Sequence, residues 1–309
     1  NRFILAGNGP YENRGCEAIV RGTIKIIDSY FDNCEYIIIS NFINDEQYLN
    51  QVKFETDLRI THLKTNKYKF HLALAPLKKF FPAIWGEICL FPVRKYLKDT
   101  KAVLSIGGDN YSLDYGKPAL FVEIDNYAIR RKIPMLIWGA SVGPFSALPE
   151  YESFMSAHLP DLSAILIREP SSTAYLESIG VSKNVHLIAD PAFCMEPVKP
   201  AKHIDIKTKT IGLNLSPLMK KFLSNNNTEE WSEFAVKITE VFCKTGYPVC
   251  LTYHVTSSHD NDLPFLTNIY NELKHKYPNL YMLEDGLSAQ EIKYVISQFH
   301  VFAGARTHS

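Results

Sequence analysis

Arg306 and His308 stand two residues apart, just beyond an apolar run that ends at Ala303. That spacing joins a permanently charged guanidinium, suited to carboxylate or phosphate, to an imidazole able to transfer a proton near neutral pH. In an α/β fold, ligands collect beyond the carboxyl ends of strands, so the pair suits an anionic substrate. On residue types alone, a solvated loop decorated by Arg306 and His308 is an equal reading.

Further strand ends carry groups of the same kind. Gly7-Asn8-Gly9-Pro10-Tyr11-Glu12-Asn13-Arg14-Gly15 joins the first apolar run to a helical pattern that begins near Cys16. Glycines there admit a ligand to the backbone, and a helix terminus offers unpaired amides to an anion or a sugar hydroxyl. Glu12 breaks the dinucleotide GxGxxG pattern and no GxxxxGK[ST] loop occurs, which removes the main support for NAD and ATP. Asp109, Asn110 and Tyr111 follow Ile106-Gly107-Gly108 and could hold a sugar, with Asp109 a candidate base if its surroundings raise its pKa. An Asx turn explains Asp109 and Asn110 equally well. Arg168 precedes Glu169-Pro170-Ser171 at another strand end; it either binds an anion or pairs with an acid such as Glu169 or Asp190. His254 ends a further run and either holds phosphate, shuttles a proton or is a satisfied structural histidine. Gly139-Ala140-Ser141-Val142-Gly143 matches the nucleophile-elbow pattern, yet Pro144 and Pro149 interrupt the helix that an elbow requires.

These residues need a scaffold of parallel strands. Short aliphatic runs at Arg2 to Ala6, Tyr36 to Ser40, Ala102 to Ile106, Met135 to Trp138, Ala164 to Ile167 and His186 to Ala189 alternate with helical patterns at Cys16 to Phe31, Ala119 to Arg131 and Ser171 to Ile179. A second series has strands at Thr210 to Leu215, Val249 to Tyr253, Leu280 to Leu283 and Val301 to Ala303, and helices at Glu229 to Lys244, Leu263 to Lys276 and Ser288 to Gln298. The expected fold class is therefore α/β, two Rossmann-like domains facing a cleft. The expected division is 1–196, a proline- and lysine-rich linker at 197–209, and a second domain at 210–309 that lacks its closing helix and reads as incomplete.

The 309 residues can bury a large core, and 33 basic against 33 acidic residues give no overall field for nucleic acid. Six cysteines without a CxxC pair suit reduced thiols in the cytoplasm, and no clustered acids or thiols suggest a metal. No signal peptide opens the chain, and the apolar stretch from Leu72 to Pro92 is too interrupted to span a bilayer. Residues 64–98 carry eight lysines and arginines against the single acid Glu87, interleaved with Phe70, Phe80, Phe81, Trp85 and Phe91. Such a mixture suits peripheral contact with anionic lipid at the inner face of a membrane, or an ordinary helical hairpin with an aromatic core.

Taken in order, Gly7-x-Gly9, Asn13-x-Gly15-Cys16-Glu17-Ala18-Ile19, Gly107-Gly108-Asp109, Gly139-Ala140-Ser141-Val142-Gly143-Pro144, Arg168-Glu169-x-Ser171, Asp190-Pro191 and Arg306-x-His308 resemble the polysaccharide pyruvyl transferase family. Cys16 departs from the aspartate that many members carry. The resemblance implies a glycosyltransferase-B-like fold and transfer of a pyruvyl group from phosphoenolpyruvate to a sugar, as a ketal, during exopolysaccharide or capsule synthesis. It further implies a phosphoenolpyruvate site at Arg168, Arg306, His308 and His254, with His308 as acid and Asp109 as base. Asn8, Asn13, Glu17, Asn110 and Tyr111 would then hold a sugar or lipid-linked acceptor, and no cofactor is implied beyond phosphoenolpyruvate as co-substrate. Competing readings are a nucleotide-sugar glycosyltransferase of the same architecture, a carbohydrate-binding protein without activity and, on the pentapeptide alone, a hydrolase.

Overall fold

A computed structural model describes residues 1–40, 43–64, 90–114, 116–257 and 261–309. Most of the basic, aromatic stretch at 64–98 lies outside the described residues.

The chain divides into two compact units, 1–10 with 19–194, and 11–18 with 195–309. Among the described residues, the first unit holds a seven-stranded parallel sheet in the order β3-β2-β1-β4-β5-β6-β7. Its strands are β1 (Arg2–Asn8), β2 (Glu35–Ser40), β3 (Ile60–Lys64), β4 (Thr100–Ile106), β5 (Met135–Ala140), β6 (Ala164–Ile167) and β7 (Val185–Leu187). Runs such as Phe3-Ile4-Leu5-Ala6 and Tyr36-Ile37-Ile38-Ile39 are buried throughout, as strands covered on both faces require. Sequence order reverses between β1 and β4, whose carboxyl ends lie side by side, and this switch point is where open α/β sheets take ligands.

Among the described residues, the helices of this part of the chain are α1 (Arg14–Asp28), α2 (Asp45–Phe54), α3 (Ala119–Arg130), α4 (Pro149–His158) and α5 (Pro170–Ser178). Two of them, α2 and α4, and the strand β3 go beyond the sequence reading. A capping box between Asn44 and Gln47 starts α2, and Pro149 occupies the first turn of α4, where a missing N–H costs nothing. In β3, His62 sits among the aliphatic positions because Gln51 (2.9 Å) and Glu55 (3.0 Å) engage both of its ring nitrogens. Another buried network links Tyr111, Asp125 and His158.

The second unit repeats the plan with β8 (Ile211–Asn214), β9 (Val249–Leu251), β10 (Leu280–Met282) and β11 (Val301–Gly304), all parallel, in the order β10-β9-β8-β11. Its helices are α6 (Lys220–Leu223), α7 (Thr228–Cys243), α8 (Asp262–Leu273) and α9 (Ala289–Ser297). Trp231, Leu251, Leu266 and Ile292 belong to its core. Residues 197–209, read from the sequence as a linker, pack Ile204 and Ile206 against that core. The switch point here falls between β8 and β11.

Segment 11–18 is the unexpected part. It follows β1 directly, yet it is stitched into the second unit by an antiparallel bridge from Asn13 to Val255 and by N–H groups of Arg14 and Thr256 that donate to the carbonyls of His254 (3.1 Å) and Glu12 (2.8 Å).

Candidate active site

Within the second unit, three stretches meet at the switch point: the end of β9 with His254, the turn after β11 with Arg306 and His308, and segment 11–18 with Arg14 and Gly15. His254 is 4% exposed, and neither ring nitrogen has a hydrogen-bond partner. Burial, joined by the positive charges of His308, Arg306 and Arg14, pushes its pKa down from 6.5 to about 3. The ring is therefore neutral at physiological pH, with an unused donor and an unused acceptor. A buried polar group normally finds a partner, so this unpaired ring beside several cations is a candidate ligand contact.

Asp262 holds this cluster in place, a role not read from the sequence. Its carboxylate is fully buried: Oδ1 accepts from Arg306 Nη2 at 2.7 Å, and Oδ2 accepts from the N–H groups of His254 (2.9 Å) and Val255 (3.0 Å). One carboxylate thus ties the β11 turn to the end of β9. The adjacent Asn261 caps α8, which explains why Asp262 looks like an ordinary first-turn acid in the sequence. Gly15 makes room for the histidine, because a Cβ at position 15 would lie 2.7 Å from His308 Nδ1.

At the carboxyl edge of the first sheet, Arg168 lies between two acids. Its Nη2 donates to Asp109 (2.9 Å), its Nη1 to Asp190 (2.8 Å), and Ser141 Oγ accepts from Nε and Nη2 at 3.3 and 3.2 Å. Gly108 leaves space for the guanidinium, since a Cβ there would meet Nη2 at 2.8 Å. With Asp109 and Asp190 paired to its guanidinium and Ser141 beside it, Arg168 joins the ends of β4, β5 and β6. Asp109 remains 44% exposed and keeps one oxygen beyond this bridge. Ser141 is followed by a loop, not a helix, until Pro149, which disposes of the nucleophile-elbow pattern.

The expected acceptor residues separate. Tyr111 is completely buried and its hydroxyl donates to Asp125 at 2.7 Å. Asn110 spends its amide N–H groups on the carbonyls of Gly7 and Ile106, clamping the ends of β1 and β4 together. Glu17, buried, accepts from the first N–H of α9 at 2.9 Å and serves that helix terminus. Asn13 accepts from Gly15 N–H in an Asx turn and belongs to the second unit. Asn8 keeps unused capacity: it is wholly buried at the end of β1, and both amide atoms are without partners. Among the described residues, no cluster of three or more His, Cys, Asp or Glu is arranged to hold a metal ion, and no helix is long and apolar enough to cross a membrane.

Two Rossmann-like units in one chain, each with its switch point lined by polar groups, place the protein in the glycosyltransferase-B-like class of folds. Solved structures of that class are similar to it over nearly its full length. They include UDP-GlcNAc 2-epimerase from Neisseria meningitidis bound to UDP-GlcNAc (TM-score 0.54, 13% identity, 97% of this chain and 76% of that one). Two more are a putative UDP-N-acetylglucosamine 2-epimerase from Listeria monocytogenes (TM-score 0.56, 10% identity, 100% and 75%) and the S. aureus MnaA–UDP complex (TM-score 0.56, 11% identity, 100% and 75%). At such identity they share the fold alone. Residues 13–309 match the polysaccharide pyruvyl transferase family, and the chain belongs to it. The amylovoran biosynthesis protein AmsJ of Erwinia amylovora is 25% identical over 335 aligned residues, covering 100% of this chain and 79% of AmsJ. The protein is accordingly an enzyme, a transferase that modifies polysaccharide.

Proposed function

We propose that the enzyme moves the pyruvyl group of phosphoenolpyruvate onto two hydroxyls of a sugar in a surface or exopolysaccharide precursor, closing a cyclic ketal and releasing phosphate. The reading rests above all on the buried, unpartnered imidazole of His254 set among Arg306, His308 and Arg14. A small donor bearing both carboxylate and phosphate is the ligand whose charge such a cluster complements.

In this scheme His308, protonated, gives its proton to the methylene carbon of the donor, so that C3 becomes a methyl group and C2 an oxocarbenium-like centre. A sugar hydroxyl adds to C2 and yields its proton to a general base. The second hydroxyl then attacks C2 as the C2–O bond to phosphate breaks, and its proton leaves with the phosphate. Arg306, fixed by Asp262, and neutral His254 orient the donor throughout. Asn8, with both amide atoms unused, is the acceptor-side candidate. The scheme requires no cofactor.

Incubation with phosphoenolpyruvate and a panel of lipid-linked or synthetic galactosides, mannosides and glucosamine derivatives tests the reading. Inorganic phosphate and ketal should appear in equal amounts. Two of the similar structures hold UDP or UDP-GlcNAc, so parallel reactions carry UDP-sugars; glycosyl transfer with release of UDP and no ketal overturns the proposal.

A further inference from the structure

Two cations of the cluster are guanidinium groups, and they differ in one respect. Arg306 is neutralised locally by Asp262, an ion pair buried on both sides, whereas Arg14 has no carboxylate partner among the described residues. The guanidinium of Arg14 donates through Nη1 to the carbonyl of Tyr11, stacks 6.0 Å from the ring centroid of Tyr253, and keeps a buried Nε without any partner. Its backbone N–H is bonded to the carbonyl of His254, so the main chain at position 14 is fixed beside the residue whose ring lacks partners. Arg14 is half-buried, so its guanidinium is partly shielded from water while no carboxylate among the described residues balances it, and an anion arriving there would meet an unneutralised charge.

We propose that Arg14 binds the phosphoryl group of the donor, supplying the one uncompensated guanidinium of the site. This rests on the donor reading given above and deepens it by dividing the ligand. The doubly charged phosphate goes to Arg14, while Arg306, already paired, orients the donor. Gly15 fits the same division: a residue with a Cβ there would displace His308 from beside Arg14.

Isothermal titration of the full chain with phosphoenolpyruvate, inorganic phosphate and pyruvate tests the assignment on wild type, Arg14→Ala and Arg14→Lys. Loss of a charge-assisted contact should weaken phosphoenolpyruvate and phosphate by about 10- to 100-fold in Arg14→Ala and leave pyruvate within about twofold. Arg14→Lys should recover part of the phosphate affinity, since charge returns without the planar fork. Thermal melting of each variant accompanies the titrations. Equal binding of phosphate by wild type and Arg14→Ala overturns the assignment while leaving the donor reading intact. A parallel loss of phosphate and pyruvate affinity also overturns it, as does a loss that follows melting temperature and is equally severe in Arg14→Lys. If wild type itself binds neither phosphoenolpyruvate nor phosphate, the donor reading fails and the role of Arg14 falls with it.

Discussion

Replacing Asp262 should damage the site and the second unit together. The carboxylate is wholly inaccessible and accepts from the guanidinium of Arg306, the N–H groups of His254 and Val255 and, at 3.4 Å, the side-chain amide of Asn214. Asp262→Ala would take this buried acceptor from all four. Breaking a buried ion pair by removing one partner costs about 3–5 kcal/mol, and part of the amide loss is already inside that figure because the cavity can admit water. A net cost of about 4 kcal/mol follows for Asp262→Ala. Asp262→Asn keeps one acceptor oxygen but turns an NH2 group toward donors, for which about 2–3 kcal/mol is expected. With a melting shift of about 3 °C per kcal/mol for a protein of this size, the alanine variant should melt roughly 12 °C lower in the transition that reports the second unit. Tryptophan fluorescence follows it, since Trp231 is buried in that core. A shift below about 3 °C for Asp262→Ala would refute the reasoning, because no buried carboxylate holding a guanidinium and two amides can be removed so cheaply.

Acid should act on two buried groups in opposite electrostatic settings. His254 titrates near 3 in the folded chain and near 6.5 when unfolded, so the unfolded chain binds more protons between those values and stability falls as pH drops through that window. His254→Gln should flatten the loss between pH 6.5 and 4 in thermal melts; an unchanged profile counts against the buried neutral ring. For Glu55, burial acts upward but is outweighed by His62 and Arg21, which bring its pKa from 4.5 to about 2. Its contribution, about 1–3 kcal/mol, is present above pH 4.5 and is lost toward pH 2, and Glu55→Gln should show a shallower acid transition in circular dichroism. Gly15→Ala adds a Cβ 2.7 Å from His308 Nδ1 while favouring the helix intrinsically, so turnover should fall at least tenfold with a melting temperature within about 3 °C of wild type. Tyr111→Phe removes one of two partners of buried Asp125 and should cost about 1–3 kcal/mol in urea unfolding; full stability would mean the phenol is dispensable there.

Strands rich in isoleucine and leucine were legible because both faces of a parallel sheet demand continuous apolar runs, and Ile37-Ile38-Ile39 or Ile211 to Leu215 admit few other readings. β3 escaped because His62 breaks its apolar pattern and finds partners in Gln51 of α2 and Glu55 just beyond it. Pro149 opens α4, although a proline ends a helix in most other positions, and the capping box between Asn44 and Gln47 starts α2. In the site, Arg306, His308 and His254 were visible as strand-end residues. Asp262 and Arg14 were not: the first is disguised as a helix-start acid, and the second matters only because segment 11–18 crosses into the second unit, which no local pattern records. The ion pairs of Arg168 with Asp109 and Asp190 join residues far apart in the sequence, which no local pattern announces.

Equilibrium binding of phosphoenolpyruvate, in competition with UDP-GlcNAc, tests the central claim most directly. The account predicts one phosphoenolpyruvate per chain, undisturbed by the nucleotide sugar and weakened at least tenfold in both Arg306→Ala and His254→Ala. Tight binding of UDP-GlcNAc with no measurable affinity for phosphoenolpyruvate would contradict it.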